Sequence, residues 1–250
     1  MSLAAPALRA FGRSEDLDLD LEGHGADQVV TDLLTQCSSD AASGYWWEAT
    51  IGRRIAALVR IVAITERSAS LAVTVTCNSP GCGAPLEMAI PLEAIESSGG
   101  APERFPVGLA NGQEVIVRPP NGADQRAWRQ RHYGSRDEAV AAMLESLLVE
   151  GDVSGAQPRD IDVIAEALAE RDPLVAFTIS YDCPSCGTSR EMAIDLERLA
   201  VQRLIGVQQG LLKDVHALAT RYGWTESEVL AIPAQRRARY RALIHEEFSL

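Results

Sequence analysis

Four of the five cysteines of this 250-residue chain fall in two short knuckles, Cys77-Asn-Ser-Pro-Gly-Cys82-Gly83 and Cys183-Pro-Ser-Cys186-Gly187, each set between β-like runs. Tetrahedral Zn²⁺ takes four soft ligands, and a tight Pro/Gly turn lets two thiolates of one hairpin face the same ion. One structural zinc, held by Cys77, Cys82, Cys183 and Cys186, is the most economical reading of the two pairs. A redox Cys-x-x-Cys would open a helix whose N-terminus lowers the thiol pKa. Here Gly187 leads instead into the strand-like run Arg190-Glu-Met-Ala-Ile194. A catalytic zinc keeps one position open and recruits His or Glu, whereas four cysteines fill the shell. The expectation is therefore a non-enzymatic protein with no catalytic residues and no small-molecule substrate. Cys37, on an apolar helical face, reads as a small core residue.

No other group offers a catalytic constellation. His24 sits in a Gly loop, His132 beside Tyr133-Gly134, His216 on an apolar helix and His245 near the terminus, none with a carboxylate, Ser or Cys at a recognisable spacing. His216 reads as a core or cap histidine. Glu87 and Glu191, beside the knuckles, read as residues of a strand's solvent face.

The knuckle flanks repeat. Residues 71–95 (LAVTVTCNSPGCGAPLEMAIPLEAI) resemble residues 175–199 (VAFTISYDCPSCGTSREMAIDLERL), the second knuckle being two residues shorter. Upstream, Gly25-Ala-Asp-Gln28 returns as Gly122-Ala-Asp-Gln125, each after an alternating run and before helix-like sequence. Two shared tetrapeptides in one order, together with the cysteines, argue for duplication of a strand, helices and zinc-hairpin unit. The fold class expected is α+β: two degenerate repeats and a helical C-terminal extension.

The elements follow from periodicity. Residues 1–16 have no clear period and read as a flexible arm, and residues 17–96 form the first repeat. Its alternating acids and leucines over 16–21 suit a half-buried strand. Asp27 is the expected cap of a helix over 28–37, and residues 48–66 read as one largely buried helix. Residues 97–113 hold a linker, densest at 97–102, and the start of a hairpin turning at Asn111-Gly112. The second repeat, 114–199, has a helix capped by Asp124 and bearing Trp128, then helices over 137–149 and 160–169. The extension, 200–250, comprises a helix from 199 to 222 closed by Gly223, a capping box Thr225-Glu-Ser-Glu228, and a last helix started by Pro233 that runs to about Phe248.

Composition bounds the partners. A net charge of −12 and a sequence pI near 4.8 oppose nucleic-acid or anionic-membrane binding, which rests on excess Lys and Arg. The longest apolar run, 55–64, is interrupted by Arg60 and too short to span a membrane. With no secretory leader in view, a cytoplasmic protein with reduced thiols is expected. Only residues 236–241, with Arg236, Arg237, Arg239 and Arg241, are locally basic.

The stretch from Asp214 to Ile244, DVHALATRYGWTESEVLAIPAQRRARYRALI, preceded by the Cys-Pro-Ser-Cys-Gly knuckle, resembles the zinc-knuckle baseplate hub assembly proteins of T-even-like contractile-tail phages and of related contractile injection systems. The likeness runs from about Gly122 to the C-terminus and is densest over 174–244. Cys183 and Cys186 match the family knuckle, while the first pair has four intervening residues where the family pattern has two. The resemblance implies an assembly factor, or chaperone, or minor component of a baseplate or hub, acting by protein–protein binding in the bacterial host cytoplasm, either free or associated with the particle. The mix of aromatic, apolar and Arg residues that interfaces favour makes Trp224, Leu230, Arg236, Arg237, Arg239, Tyr240 and Leu243 the candidate partner surface. The competing expectation is a zinc-ribbon nucleic-acid-binding regulator, whose phosphate contacts only the last helix could supply.

Overall fold

The computed structural model describes residues 6–97, 102–110, 112–152 and 158–247. The architecture is α+β, with helices packed on small antiparallel sheets of two or three strands. The reading of 1–16 as a flexible arm fails over its described part. Strand β1 (Ala7–Leu8) pairs with β2 (Ser38–Ser39), and Phe11 is buried in the main core. The carboxylate of Asp16 is fully buried, accepting from both terminal nitrogens of Arg9 (2.8 and 2.6 Å) and from the amides of Gly12 and Arg13. Polar stapling and one aromatic anchor leave no periodic trace, and so escaped pattern reading.

The expected strand over 16–21 is likewise absent. A 3₁₀ turn at Ser14–Asp16 precedes irregular backbone, and Gln208 Nε2 donates to the carbonyls of Asp16, Leu17 and Leu19 at 3.2, 3.3 and 2.9 Å. A side chain from a distant helix thus meets acceptors that a ladder would otherwise satisfy. Asp20 then folds back onto the amides of Glu22 and Gly23, an Asx turn that ends any extended run.

Helix α1 (Ala26–Gln36) buries Val29, Val30, Leu33 and Leu34. Its N-cap is Gly25, and Asp27 lies buried inside the first turn rather than capping it. The helix expected from residue 48 is split into α2 (Tyr45–Glu48) and α3 (Ile51–Glu66). At the break the backbone is claimed by another segment: Ile51 N donates to Pro120 O, Gly122 N to Ala49 O, and Thr50 bridges Asn121. Thr50 caps α3 by accepting from Arg53 N. With Ile55, Leu58, Val59, Ile61 and Val62 buried around its circumference, α3 is the axis of the main core.

The first hairpin is β3 (Ser70–Thr76) with β4 (Pro85–Pro91), followed by α4 (Leu92–Ser97). Most of the linker read at 97–102 lies outside the described residues, as does Asn111. A three-stranded sheet follows, β5 (Phe105–Gly108), β6 (Glu114–Val117) and β7 (Leu148–Glu150). Helix α5 (Gly122–Gln130) is capped by Asn121, with Asp124 as the reciprocal member of the capping box and a partner of Arg118 at 2.6 Å. The expected cap was therefore three residues late. Helices α6 (Arg136–Leu147) and α7 (Pro158–Arg171) cover the sheet in a second core of Phe105, Val107, Val115, Val117, Leu144 and Ile164. The helix expected to reach Val149 stops at Leu147 because Leu148 is already paired with Val117.

The second hairpin is β8 (Thr178–Asp182) with β9 (Ser189–Ala193), and it runs directly into α8 (Leu196–Tyr222), capped by Asp195 and closed by Gly223 at φ 70°. Glycine tolerates this left-handed turn without a Cβ penalty. Helix α8 crosses the boundary expected at residue 200. Leu196, Ala200 and Leu204 belong to the main core, so the extension is continuous with the body. The capping box at Thr225 and Glu228 opens α9 (Glu226–Ala231), and α10 (Ala234–Glu247) follows Pro233. Phe248, the expected end of the last helix, lies outside the described residues. Among the described residues no helix is long and apolar enough to cross a membrane.

Candidate metal centre

The two hairpins end in the same way. Cys77 N donates to Ala84 O at 2.8 Å and Cys183 N to Thr188 O at 3.1 Å, so each knuckle closes between its first cysteine and the residue two beyond its second. Glu87 faces Thr74 and Glu191 faces Ser180, equivalent rungs of the two ladders. The two extra residues of the first knuckle are taken up in the turn, where Cys82 N returns to Ser79 O. Gly83 and Gly187, each just after a second cysteine, have φ 63° and 66°, the region glycine favours.

This places four sulfurs together. The Sγ atoms of Cys77, Cys82, Cys183 and Cys186 all lie within 4.8 Å of one another, with Cys77 to Cys186 at 3.9 Å and Cys82 to Cys183 at 3.8 Å. Ligands about 2.3 Å from a tetrahedral ion stand about 3.8 Å apart, so the donor set fits a metal ion such as zinc. All four ligands predicted from spacing are brought together, whereas Cys37 lies in the main core, its thiol pushed up to about 12 by burial.

The thiols cannot all ionise by themselves. The Thr188 hydroxyl and backbone amide hold Cys186 down at about 6. At Cys82 the Ala84 amide works to lower the pKa, but desolvation and the neighbouring Cys186, Cys183 and Cys77 push it up to about 11. A cation is what lets four negative sulfurs coexist.

A small apolar shell of Leu86, Tyr181, Val75, Met88 and Met192 surrounds the centre. Tyr181 is the member that spacing could not reveal. Its hydroxyl lies 3.7 Å from Cys77 Sγ, donates to Asn78 Oδ1 at 2.8 Å and accepts from Asn78 N. Asn78 Nδ2 in turn donates to Glu191 O at 3.3 Å, tying the first knuckle to the second hairpin. Glu87 and Glu191 are exposed, as expected of the solvent face of a strand.

The residues proposed for partner contact divide. Arg237 is buried, donating to Asp214 Oδ2 at 3.0 Å and to Ile232 O at 2.7 Å, so it is an internal clamp and not a presented charge. Trp224 stacks on Tyr222 with centroids 4.7 Å apart and meets Tyr240 edge-on at 5.2 Å, and Leu230 is half-buried. Arg236, Arg239 and Leu243 are exposed. At helical spacing they share one stripe with the half-buried Tyr240. His216 is exposed on α8, contrary to a core or cap role, because α8 turns only one face to the body.

A second polar node was invisible to sequence reading. Arg54 is fully buried inside apolar α3, donating to Thr31 Oγ1 and Asp27 O, both at 3.0 Å, and to Trp46 O. Gly122 lies so close that a Cβ there would sit 2.3 Å from Arg54 Nη1. The two Gly-Ala-Asp-Gln segments, 25–28 and 122–125, thus meet at this one guanidinium. Burial lowers the pKa of Arg54, and burial likewise raises that of Glu197, whose carboxylate interacts with it.

Compared with protein-family models, curated proteins and solved structures, the chain matches none.

Proposed function

We propose that this is a zinc-stabilised, non-enzymatic assembly factor that works by binding other proteins, its metal purely structural. The observation that carries this reading is the closed four-cysteine centre. Four thiolates at tetrahedral separation satisfy Zn²⁺ and leave no position at which water or substrate could be activated. Cysteine sulfur favours zinc over the harder Ca²⁺ and Mg²⁺. The working surface in this reading is the free face of α10, where Arg236, Arg239 and Leu243 are exposed on a chain of net charge −12.

The resemblance of residues 174–244 to contractile-tail hub assembly proteins supports a baseplate or hub protein as the partner. Co-expression with contractile-tail baseplate subunits, chosen from the genes that flank this one if such genes are there, tests it. Arg236→Glu with Arg239→Glu should abolish co-purification in a salt-sensitive manner while zinc content stays unchanged. Unaltered recovery of those subunits by the double variant would place the working surface elsewhere, and flanking genes unrelated to a contractile tail would remove the baseplate context.

A further inference from the structure

The hairpins that hold the metal centre also leave an unfilled gap between their strands. A groove of about 420 Å³ is lined by Val73, Thr74, Val75 and Thr76 of β3 on one side, and on the other by Met192–Asp195 with Arg198, Leu199 and Gln202 of α8. Its walls are strand edges. Cys77 N bonds Ala84 O and Leu92 N bonds Ala69 O, so odd-numbered residues of β3 pair inward with β4. Antiparallel alternation then turns the backbone groups of Ala72, Thr74 and Thr76 outward. The same logic applies to β9: Cys183 N bonds Thr188 O and Ile194 N bonds Phe177 O, which turns Glu191 and Ala193 outward. The Asn78 side chain already takes the Glu191 carbonyl from across the gap. Among the described residues the outward backbone groups of Thr74, Thr76 and Ala193 have no partner.

Open strand edges are normally blunted by proline or charge. The outer edge of β4 is blunted in this way, because Pro85 and Pro91 occupy rungs opposite Thr76 and Ser70, where the ladder makes no bond. The edge of β3 carries Ala72, Thr74 and Thr76 with no proline and no charge. At the groove's rim Arg198 is exposed and, among the described residues, has no carboxylate partner. The neighbouring Asp195 is committed to capping α8, accepting from Arg198 N at 2.9 Å.

We propose that the groove between β3 and β9 receives an extended segment of a partner protein by strand addition, its backbone bonding to Thr74 and Thr76 and an acidic side chain meeting Arg198. Main-chain bonds supply the affinity of such docking, and the alternate side chains its selectivity. The site goes beyond the α10 surface and does not depend on it.

The test uses the full-length protein and the blocked peptide Ac-Thr-Val-Thr-Asp-Thr-Val-Thr-NH₂, read by calorimetry and by backbone amide NMR. Saturable binding is expected, with the amide protons of Thr74, Thr76 and Ala193 shifted downfield. N-methylation of alternate peptide residues should weaken it about tenfold, the loss of one or two hydrogen bonds. Arg198→Glu should weaken the Asp peptide and favour its Arg-substituted version, while Arg236→Glu with Arg239→Glu should leave binding unchanged. No saturation at about 1 mM peptide, or equal affinity of the N-methylated form, overturns the proposal. Dimerisation of the protein itself that Thr74→Pro abolishes would also overturn it, since a second copy would then own the edge.

Discussion

Arg237 Nε stands 3.0 Å from Asp214 Oδ2, with both side chains about nine-tenths buried, while Arg241 reaches the other oxygen at 2.7 Å. One carboxylate of α8 therefore holds α10 by two successive turns of its arginine face. Asp214→Ala should cost about 3 kcal/mol, the scale for stranding a buried charge, and should raise hydrogen exchange across α10 ahead of the rest of the chain. Arg236→Ala, which removes an exposed group, should change the melting temperature negligibly. Equal effects of the two substitutions would mean that the pair does not anchor the helix.

Arg54 makes a second fastening. Arg54→Met leaves Thr31 Oγ1, Asp27 O and Trp46 O without their donor, an expected loss of roughly 3 kcal/mol in denaturant unfolding. Arg54→Lys should rescue little of it, since one ammonium cannot reproduce a guanidinium fork. Gly122→Ala, by driving a methyl against Arg54 and Trp46 O, should cost about 2 kcal/mol.

At the metal centre, protein purified without added metal should carry one zinc per chain. Cys183→Ser should lose the metal and unfold or aggregate the chain, because structural zinc contributes on the order of 10 kcal/mol in small domains. Cys37→Ser, outside the cluster, should retain the zinc. Tyr181→Phe should retain the fold but weaken metal affinity roughly tenfold, the usual scale for groups that orient ligands, measured by competition with a chromogenic chelator. Two metals per chain, or none, would rule out the shared site.

The N-terminal staple should show in acid. Burial acts to raise the pKa of Asp16, but the Arg9 guanidinium and the amides of Arg13 and Gly12 outweigh it and hold the carboxyl below its ordinary value of 3.8. A depressed folded pKa stabilises the fold fully above that ordinary value, and the contribution fades as pH falls below it. Wild-type protein should thus lose stability through this window more steeply than Asp16→Asn, in which the group no longer titrates. Parallel acid-denaturation curves would refute the assignment.

Local chemistry foretold much of this arrangement, whereas long-range polar chemistry did not. Paired thiols advertise themselves by spacing, as do the capping box at Thr225 and the glycine after Tyr222, because each is satisfied within a few residues. Arg54 carried no signal, since its partners come from α1 and α2 and it sits in an apolar helix, where a cation reads as an interruption. The alternating run at 16–21 misled for a related reason. Its periodicity was that of a strand, but Gln208, almost two hundred residues later, supplied the donor that took its carbonyls.

Helix α8 leaves the second hairpin after only Ile194 and Asp195 and continues without a break for 27 residues. At 1.5 Å per residue that is about 40 Å of stiff rod, buried in the main core at one end and carrying α9 and α10 at the other. A protein seated on α10 would therefore be gauged at a set distance from anything gripped beside the hairpins. Inserting or deleting residues within α8 would change both the length of this rod and the angular phase between its two ends.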